Sequence, residues 1–325
     1  MKTVKIPDTD IQVSSISLGT GEIGSSINKV DSYRLLDMFL EKGGTLIDTA
    51  HSYGDWVPGE RSISEKTIGT WIKERKNRDK VILSTKGCDP IFGDVTHKSR
   101  FNREEILSDL NGSLKLLNTD YIDFYWIHKD EPNVPVDVII ETINEQVKLG
   151  KIRCFGFSNW QVTRIKEAEN YAKSHGLKAP LGDQVLWNAA SLVDLPFHSD
   201  NCGFMDKERF AYHKENGKAV FAYQSQAYGI FNRMFNGTIN QMSPFFRSFY
   251  NENETFIRYN RMKTLMEETG FNITQVVLGY LKGQPFTTIP IVGCRNISHL
   301  TDSMTALDIT LTAEQISFIE TGRIS

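Results

Sequence analysis

Residues 120–160 read DYIDFYWIHKDEPNVPVDVIIETINEQVKLGKIRCFGFSNW. Two nearly continuous apolar runs, 122–127 and 152–157, flank an amphipathic segment that ends near Gly150. A strand that is covered on both faces reads as a continuous apolar run, and two parallel strands need a helical crossover between them. The stretch therefore predicts one β-strand–helix–β-strand unit of a parallel sheet.

The same pattern recurs along the chain, mostly at intervals of about thirty to forty residues. Eight apolar or β-branched runs are present, at residues 15–18, 45–47, 81–84, 122–127, 152–157, 182–186, 219–223 and 286–291. Eight strand–helix units close most simply into a (β/α)₈ TIM barrel, an α/β fold that would occupy residues 1–325 as a single domain. A doubly wound open sheet is the alternative.

Helix signals support the crossovers. The segment 161–175 repeats an apolar residue every three or four positions, at Val162, Ile165, Ala168 and Ala172. Gly176 then supplies a C-terminal stop, and Asn272 with Gln275 predicts an N-terminal capping box. Residues 2–13, with Pro7-Asp8-Thr9-Asp10 at their centre, predict a short N-terminal β-hairpin at the barrel bottom. Residues 224–254 form a long aromatic connection, either a lid or an excursion packed on the barrel wall.

Composition excludes several classes of protein. Of 325 residues, 40% are hydrophobic and 24% are charged, as in globular proteins. The net charge is −3, and the sequence contains no long run of basic residues. We therefore expect no nucleic-acid or membrane partner, and the N-terminus lacks the apolar stretch of a secretory signal. The four cysteines are far apart, which favours a cytoplasmic protein with reduced thiols and no metal; they are Cys88, Cys154, Cys202 and Cys294.

Polar residues follow three neighbouring strands at the end where barrel enzymes place their chemistry. Asp48 and Tyr53 lie in GGTLIDTAHSYGD, Lys86 in VILSTKG and His128 in DYIDFYWIHKD. Each has an ordinary alternative, such as a helix cap, an ion pair or a hydrogen-bonded structural histidine. Together they predict a proton-transfer site.

The chemistry of this site follows from the four residue types. A lysine ammonium should lower the tyrosine pKa from about 10, an aspartate should hold the lysine, and histidine should bind a carbonyl oxygen. A Schiff-base role for Lys86 is the competing interpretation, but it needs a neutral amine, which Asp48 opposes.

Later strand ends predict a cofactor cradle. Ser158 and Asn159 end the fifth strand, Gln184 lies near the end of the sixth, and Tyr223 offers a flat face at the end of the seventh. These amide and hydroxyl groups suit a carboxamide, although Ser158-Asn159 taken alone would more often be a helix N-cap. After the eighth strand, IPIVGCRNISHLTDSM brings Gly293, Arg295 and a helix start, which suits a phosphate.

Taken together, GGTLIDTAHSYGD, STKG, YWIH, GKIRCFGFSNW and IPIVGCRN resemble the aldo-keto reductases of bacterial type, in order and over almost the whole chain. The resemblance implies a barrel that binds NAD(P)H without a Rossmann domain. It implies a catalytic tetrad of Asp48, Tyr53, Lys86 and His128, with Tyr53 as the general acid in carbonyl reduction. The implied nicotinamide contacts are Thr20, Asp48, Ser158, Asn159, Gln184 and Tyr223.

The cofactor loops depart from the family pattern. Gln224-Ser225-Gln226 stands where many relatives have Ser-Pro-Leu after the seventh-strand tyrosine. At the adenosine end, His299 replaces an arginine or glutamine, and Asp302-Ser303 replaces Glu-Asn. Arg295 could still bind a 2′-phosphate, so NADPH is the first choice of cofactor and NADH the second.

The resemblance predicts an NADP-dependent oxidoreductase that reduces an aldehyde or ketone. The substrate pocket would be formed by His51, Trp56, Trp187 and Tyr228. Two alternatives stay open: an NAD-linked sugar (aldose) dehydrogenase that runs oxidatively, and a slow-turnover nicotinamide-sensing subunit like the β-subunits of potassium channels. The expected partner is a small carbonyl compound or sugar, and the expected assembly is a monomer or weak homo-oligomer.

Overall fold

The computed structural model describes residues 3–90, 92, 100–193 and 203–323, and it contains a closed barrel of eight parallel strands. The barrel strands run around the wall in chain order, and the last pairs with the first. Their bounds are β3 Ser17–Gly19, β4 Leu46–Asp48, β5 Ile82–Gly87, β6 Ile122–Ile127, β7 Ile152–Ser158, β8 Gly182–Leu186, β9 Ala219–Tyr223 and β10 Thr288–Gly293. The predicted (β/α)₈ fold is confirmed.

Helices surround the barrel between successive strands. They are α1 Lys29–Glu41, α2 Ile63–Arg75, α3 Arg103–Leu116, α4 Val136–Lys148, α5 Val162–Ser174, α6 Lys207–Asn216, α7 Ile230–Phe235, α8 Pro244–Arg247, α9 Glu252–Thr269, α10 Ile273–Lys282, α11 Ile297–Met304 and α12 Ala313–Thr321. Helix α5 lies where the apolar repeat placed it, and Gly176 follows it with a φ of 64°. Helix α10 has the predicted reciprocal capping box between Asn272 and Gln275.

The eighth strand begins two residues later than predicted. The run 286–291 predicted its start, yet β10 begins at Thr288, and Phe286 instead packs against Trp187 with the ring centroids 5.8 Å apart. A buried apolar residue just before a strand is easily assigned to the strand, because the hydrophobic pattern of a sequence reports burial and not backbone pairing. In the described part of the chain, no helix is long and apolar enough to cross a membrane.

The predicted hairpin closes the bottom of the barrel. Strands β1 (Thr3–Lys5) and β2 (Gln12–Ser14) pair antiparallel. Ile6, Ile11 and Val13 from this hairpin are buried in one cluster with Trp126 and Phe221 from inside the barrel. Barrel interiors are filled by side chains, so the hairpin completes the core at this end and leaves the opposite end to the site.

The aromatic segment 224–254 is a helical excursion on the barrel wall. It contains α7 and α8, and its last residues already belong to α9. Phe231, Phe249 and Tyr250 are buried in the cluster between β8, β9 and the outer helices, whereas Phe235 and Phe245 are about half exposed. The packed side chains favour the wall-packing alternative for most of the segment.

Candidate active site

The barrel register brings the four predicted catalytic residues to one mouth. Asp48 ends β4 and pairs with Ser84, two residues before Lys86 on β5. His128 directly follows β6, and its amide donates a 3.0 Å hydrogen bond to the carbonyl of Gly87. Parallel strands place their carboxyl ends at the same rim, so this convergence follows from the fold.

Tyr53 reaches the same point from the loop between β4 and α2. Its amide donates to the carbonyl of Ala50 at 3.1 Å, and its own carbonyl accepts from the amide of Ser64 at 3.2 Å. Ser64 belongs to the first turn of α2, and its hydroxyl lies 2.9 Å from Thr20. The loop that carries Tyr53 is therefore tied to a barrel strand and to a helix.

Lys86 is a buried cation whose hydrogen-bonding capacity is fully used. Its Nζ lies 2.6 Å from Asp48 Oδ2, 2.6 Å from the carbonyl oxygen of Thr49 and 3.2 Å from Tyr53 Oη. An ammonium has three donors, and these are three acceptors. Burial acts against the charged lysine, but Asp48 and Tyr53 outweigh it and raise the pKa of Lys86. The lysine is held charged, which leaves no neutral amine for a Schiff base.

Asp48 Oδ1, the carboxylate oxygen that does not contact Lys86, accepts hydrogen bonds from two neutral donors. Ser84 Oγ donates to Oδ1 at 2.6 Å, and Gln184 Nε2 donates at 2.9 Å. Ser84 in turn accepts from Trp126 Nε1 at 2.8 Å. Ser84 was not among the predicted site residues, although it precedes Lys86 by two residues and therefore shares the inward face of β5. Gln184, which we expected at the carboxamide, has its amide nitrogen committed to Asp48.

Tyr53 keeps its proton at neutral pH. Burial raises the pKa of Tyr53 above its usual value and outweighs the Lys86 ammonium, which acts to lower it, while Asp48 adds a further increase. The expectation of a net lowered pKa is wrong, because it counted the lysine and not the loss of solvent. The Lys86 Nζ lies 4.6 Å from the ring centroid of Tyr53, so the cation faces both the hydroxyl and the ring.

His128 is uncharged and stands edge-on to Tyr53. The two ring centroids are 6.2 Å apart with an interplanar angle of 72°. Burial lowers the pKa of His128 to about 4, with Lys86 and Lys129 acting in the same direction and Asp89 opposing them. A neutral imidazole at this position can donate or accept one hydrogen bond toward a bound oxygen, depending on its tautomer.

The predicted nicotinamide contacts lie along the mouth from β3 to β9. Ser158 Oγ donates to the backbone carbonyl of Gln184 at 2.9 Å. Asn159 has a φ of 65°, and its side chain donates to the carbonyl of His128 at 2.9 Å and accepts from Tyr223 Oη at 2.8 Å. Thr20 is buried, with its hydroxyl 2.8 Å from the carbonyl oxygen of Asp48. These groups form one polar rim beside the tetrad.

The loop after β9 presents a buried acceptor. Gln224 has a φ of 51°, and its Nε2 contacts the hydroxyl of Tyr228. Among the described residues, its buried Oε1 has no hydrogen-bond partner. Gln226 Nε2 lies 3.3 Å from Ser303 Oγ, which joins this loop to α11. An orphaned buried oxygen carries a free-energy cost, which a hydrogen-bond donor from a bound ligand would remove.

The residues predicted to bind a phosphate lie at the start of α11. Gly293 ends β10, and Arg295 is exposed and forms no ion pair within the described part of the chain. Asn296 caps the helix by accepting from the amide of His299 at 2.9 Å. Asp302 is instead engaged by the hydroxyl of Thr274. A cation beside a helix N-terminus suits an anionic group.

Two of the predicted substrate residues point away from the mouth. The His51 ring lies 2.8 Å from Glu65 Oε2 on α2 and against Gly112 of α3. Trp187 is 6% exposed and stacks on Phe286 beneath the outer helices. We therefore remove both from the substrate pocket: a loop residue's direction depends on turns that the sequence pattern does not reveal.

The other two predicted substrate residues are aromatic side chains within reach of the mouth. Trp56 is 42% exposed, with its ring centroid 6.3 Å from that of Tyr53. Tyr228 stacks on Phe246 at 4.1 Å and touches Gln224 through its hydroxyl.

The fold and the site together place a tyrosine hydroxyl beside a buried lysine–aspartate pair at the mouth of an eight-stranded barrel. The family model described as "Aldo/keto reductase family" matches residues 15–322. The chain belongs to the aldo/keto reductase family, so it is an oxidoreductase that acts on carbonyl or alcohol groups of small molecules with a nicotinamide cofactor.

Curated relatives align with nearly the whole chain. Norsolorinic acid reductase B of Aspergillus parasiticus is 29% identical, covering 97% of this chain and 82% of the relative. The aryl-alcohol dehydrogenase [NADP(+)] of Phanerodontia chrysosporium is 27% identical, covering 96% and 83%. A crystal structure of a thermostable aldo-keto reductase with the inhibitor epalrestat superposes with a TM-score of 0.72 at 23% identity, covering 99% of each chain, which supports the fold.

Proposed function

We propose that the protein is an NADPH-dependent carbonyl reductase that converts an aromatic or other hydrophobic aldehyde or ketone to its alcohol, with Tyr53 as the general acid. The observation that carries the proposal is the Lys86 ammonium, which lies 2.6 Å from Asp48 and 3.2 Å from the Tyr53 hydroxyl. This chain of contacts links a buried charge pair to one proton donor at the open end of the barrel.

The proton donor is ready at neutral pH. Burial raises the pKa of Tyr53, so the hydroxyl is protonated when a carbonyl oxygen enters the mouth. As negative charge grows on that oxygen, Tyr53 donates its proton, and Lys86 stabilises the phenolate that is left. Asp48 keeps the lysine charged throughout, with Ser84 and Gln184 holding the carboxylate in place.

The residues present fit a nicotinamide cofactor. A bound NADPH would supply the hydride. Ser158, Asn159 and Tyr223 would lie along its nicotinamide, and the unpartnered Oε1 of Gln224 would accept a donor from it. Arg295 at the start of α11 would meet a phosphate.

Preference for NADPH over NADH rests on charge. Arg295 is exposed and, within the described residues, forms no ion pair, so a 2′-phosphate could pair with its guanidinium. One relative is named an NADP(+) enzyme, which supports the same choice.

The substrate class rests on the aromatic side chains at the mouth. Trp56 beside Tyr53, and Tyr228 next to Gln224, offer flat apolar surfaces. Relatives named for aryl alcohols and for norsolorinic acid favour an aromatic carbonyl over a sugar.

Turnover rates compared between NADPH and NADH, and between an aromatic aldehyde and a sugar, test the proposal. We expect oxidation of NADPH with 4-nitrobenzaldehyde, roughly tenfold slower oxidation of NADH, which lacks the 2′-phosphate that Arg295 would bind, and little reaction with glucose. Rapid oxidation of glucose with NAD⁺ would replace the proposal with the sugar dehydrogenase. Tight NADPH binding without turnover of any carbonyl would replace it with the sensing subunit.

A further inference from the structure

A second carboxylate lies at the barrel mouth, next to the tetrad. Asp89 Oδ2 accepts a 2.6 Å hydrogen bond from the hydroxyl of Ser52, the residue before Tyr53. The same oxygen lies 3.4 Å from Nδ1 of His128. The side chain of Asp89 is 23% exposed, and that of His128 is 14% exposed, so water screens this contact only in part. The proton-transfer steps described above do not use this carboxylate.

The backbone holds Asp89 and His128 together. Cys88 adopts a left-handed conformation with a φ of 64°, which turns the chain sharply after β5. Its amide donates a 2.9 Å hydrogen bond to Asp109 on α3. The amide of His128 donates to the carbonyl of Gly87 at 3.0 Å. A left-handed residue other than glycine persists only where its surroundings enforce it, so the position of Asp89 is fixed by the fold.

The position of Asp89 bears on where His128 carries its proton. Nδ1 of His128 is buried and, in the part of the chain that the structure describes, has no hydrogen-bond partner. A neutral imidazole has one N–H and one lone pair. A carboxylate beside Nδ1 attracts the N–H and repels the lone pair, so it favours the proton on Nδ1. A distance of 3.4 Å is long for a hydrogen bond, but catalytic hydrogen bonds often tighten when substrate binds.

We propose that Asp89 is a positioning residue that fixes the proton of neutral His128 on Nδ1, an inference that rests on the proposed function of the tetrad. Nε2 then accepts a hydrogen bond while the ring is neutral, and it donates one only after the ring takes up a second proton. The neutral ring complements the hydroxyl of an alcohol, and the doubly protonated ring complements a carbonyl oxygen. Asp89 thereby biases binding at neutral pH toward the alcohol.

Removing Asp89 should release this bias. The other charged or titratable groups that face His128 are Asp48, which favours a second proton, Lys86 and Lys129, which oppose it, and Tyr53 at its edge. Of these groups and Asp89, the Asp89 carboxylate acts most directly on Nδ1, because it lies beside that atom. In Asp89→Ala, a neutral His128 is free to carry its proton on Nε2 and to donate it to a carbonyl oxygen.

Proton–nitrogen correlation NMR of the full-length protein measures the tautomer directly, with the His128 signals assigned by their loss in His128→Asn. We expect neutral His128 to be protonated on Nδ1 in the wild type and to gain the Nε2–H form in Asp89→Ala. Asp79→Ala is the matched control: Asp79 is exposed in the short turn Arg78–Lys80 at the opposite end of β5, and its loss should change nothing. An Nε2–H tautomer in the wild type would overturn the proposal without any variant.

Steady-state kinetics gives the second readout. Asp89→Ala should lower KM for the aldehyde relative to KM for the matching alcohol by about fivefold, the effect of one net hydrogen bond, and Asp79→Ala should not. An unchanged tautomer in both Asp89→Ala and Asp89→Asn would contradict the role of Asp89. The NMR result does not depend on turnover, so a protein that shows the predicted tautomers but reduces no carbonyl would refute the proposed function alone.

Discussion

The buried ion pair between Lys86 and Asp48 should be the strongest energetic link in the site. Both side chains are almost fully buried, and the Nζ–Oδ2 distance is 2.6 Å. Replacing Lys86 by Met removes the cation and leaves the Asp48 carboxylate with only its two neutral donors, Ser84 and Gln184. Replacing Asp48 by Asn instead leaves the ammonium without a charged partner.

The expected magnitude follows from the geometry. At an effective dielectric constant of about 20, two charges at this separation attract each other by roughly 6 kcal/mol. Much of this attraction is offset by the cost of removing both ions from water, so the pair as a whole contributes little net stability. Removing only one of the two ions has a larger effect on stability, because the other charge then stays buried without its partner. Each single variant should lose about 3–5 kcal/mol of unfolding free energy.

Urea denaturation of the wild type, both single variants and the double variant forms a complete thermodynamic cycle. The double variant should be more stable than the sum of the single losses implies, with a coupling energy of about 2 kcal/mol or more. Near-additive losses of less than about 1 kcal/mol each would refute the claim that a charged, desolvated pair organises the mouth. Equal m-values across the four proteins would exclude a change in the denatured state.

Three further outcomes test separate parts of the structure. Burial opposes a charged His51, but Glu65 outweighs burial and raises the pKa of His51. The His51–Glu65 pair therefore stabilises the fold below about pH 6.5, the pKa of histidine in the unfolded chain, and this stabilisation is lost as the pH rises through the pKa of His51 in the folded protein. His51→Gln should remove this pH dependence of the unfolding free energy, and a variant that retains it would contradict the assignment. Arg295→Ala should raise KM for NADPH by roughly tenfold and leave KM for NADH unchanged, whereas equal increases would remove the 2′-phosphate role. Trp187→Ala should cost about 3–5 kcal/mol of unfolding free energy, as a buried core residue does, with an aldehyde KM within about twofold of wild type.

The fold could be predicted from the sequence because its signal is repeated. Eight apolar runs and the crossovers between them over-determine a barrel, so a two-residue shift at β10 does no harm to the topology. The tetrad was placed for a related reason: residues at the carboxyl ends of adjacent parallel strands must converge, and Asp48, Lys86 and His128 do.

Side-chain direction and solvent exposure were beyond the sequence. His51 and Trp187 follow strands, as real pocket residues do, yet tertiary contacts with Glu65 and Phe286 turn them outward. The pKa of Tyr53 was predicted with the wrong sign, since burial depends on everything that surrounds a side chain and a neighbouring charge is only part of it. Asp89 was overlooked because the left-handed turn that aims it at the mouth has no glycine to mark it.

The most direct test of the account is the rate of NADPH oxidation with 4-nitrobenzaldehyde by the wild type and by Tyr53→Phe, with NADPH affinity measured in parallel. The variant lacks only the hydroxyl that lies 3.2 Å from Lys86. We predict that it binds NADPH within about twofold of the wild type and loses at least ~10²-fold in kcat, as expected when a general acid is removed. A variant that keeps most of the wild-type rate would show that the proton comes from elsewhere and would contradict the central claim.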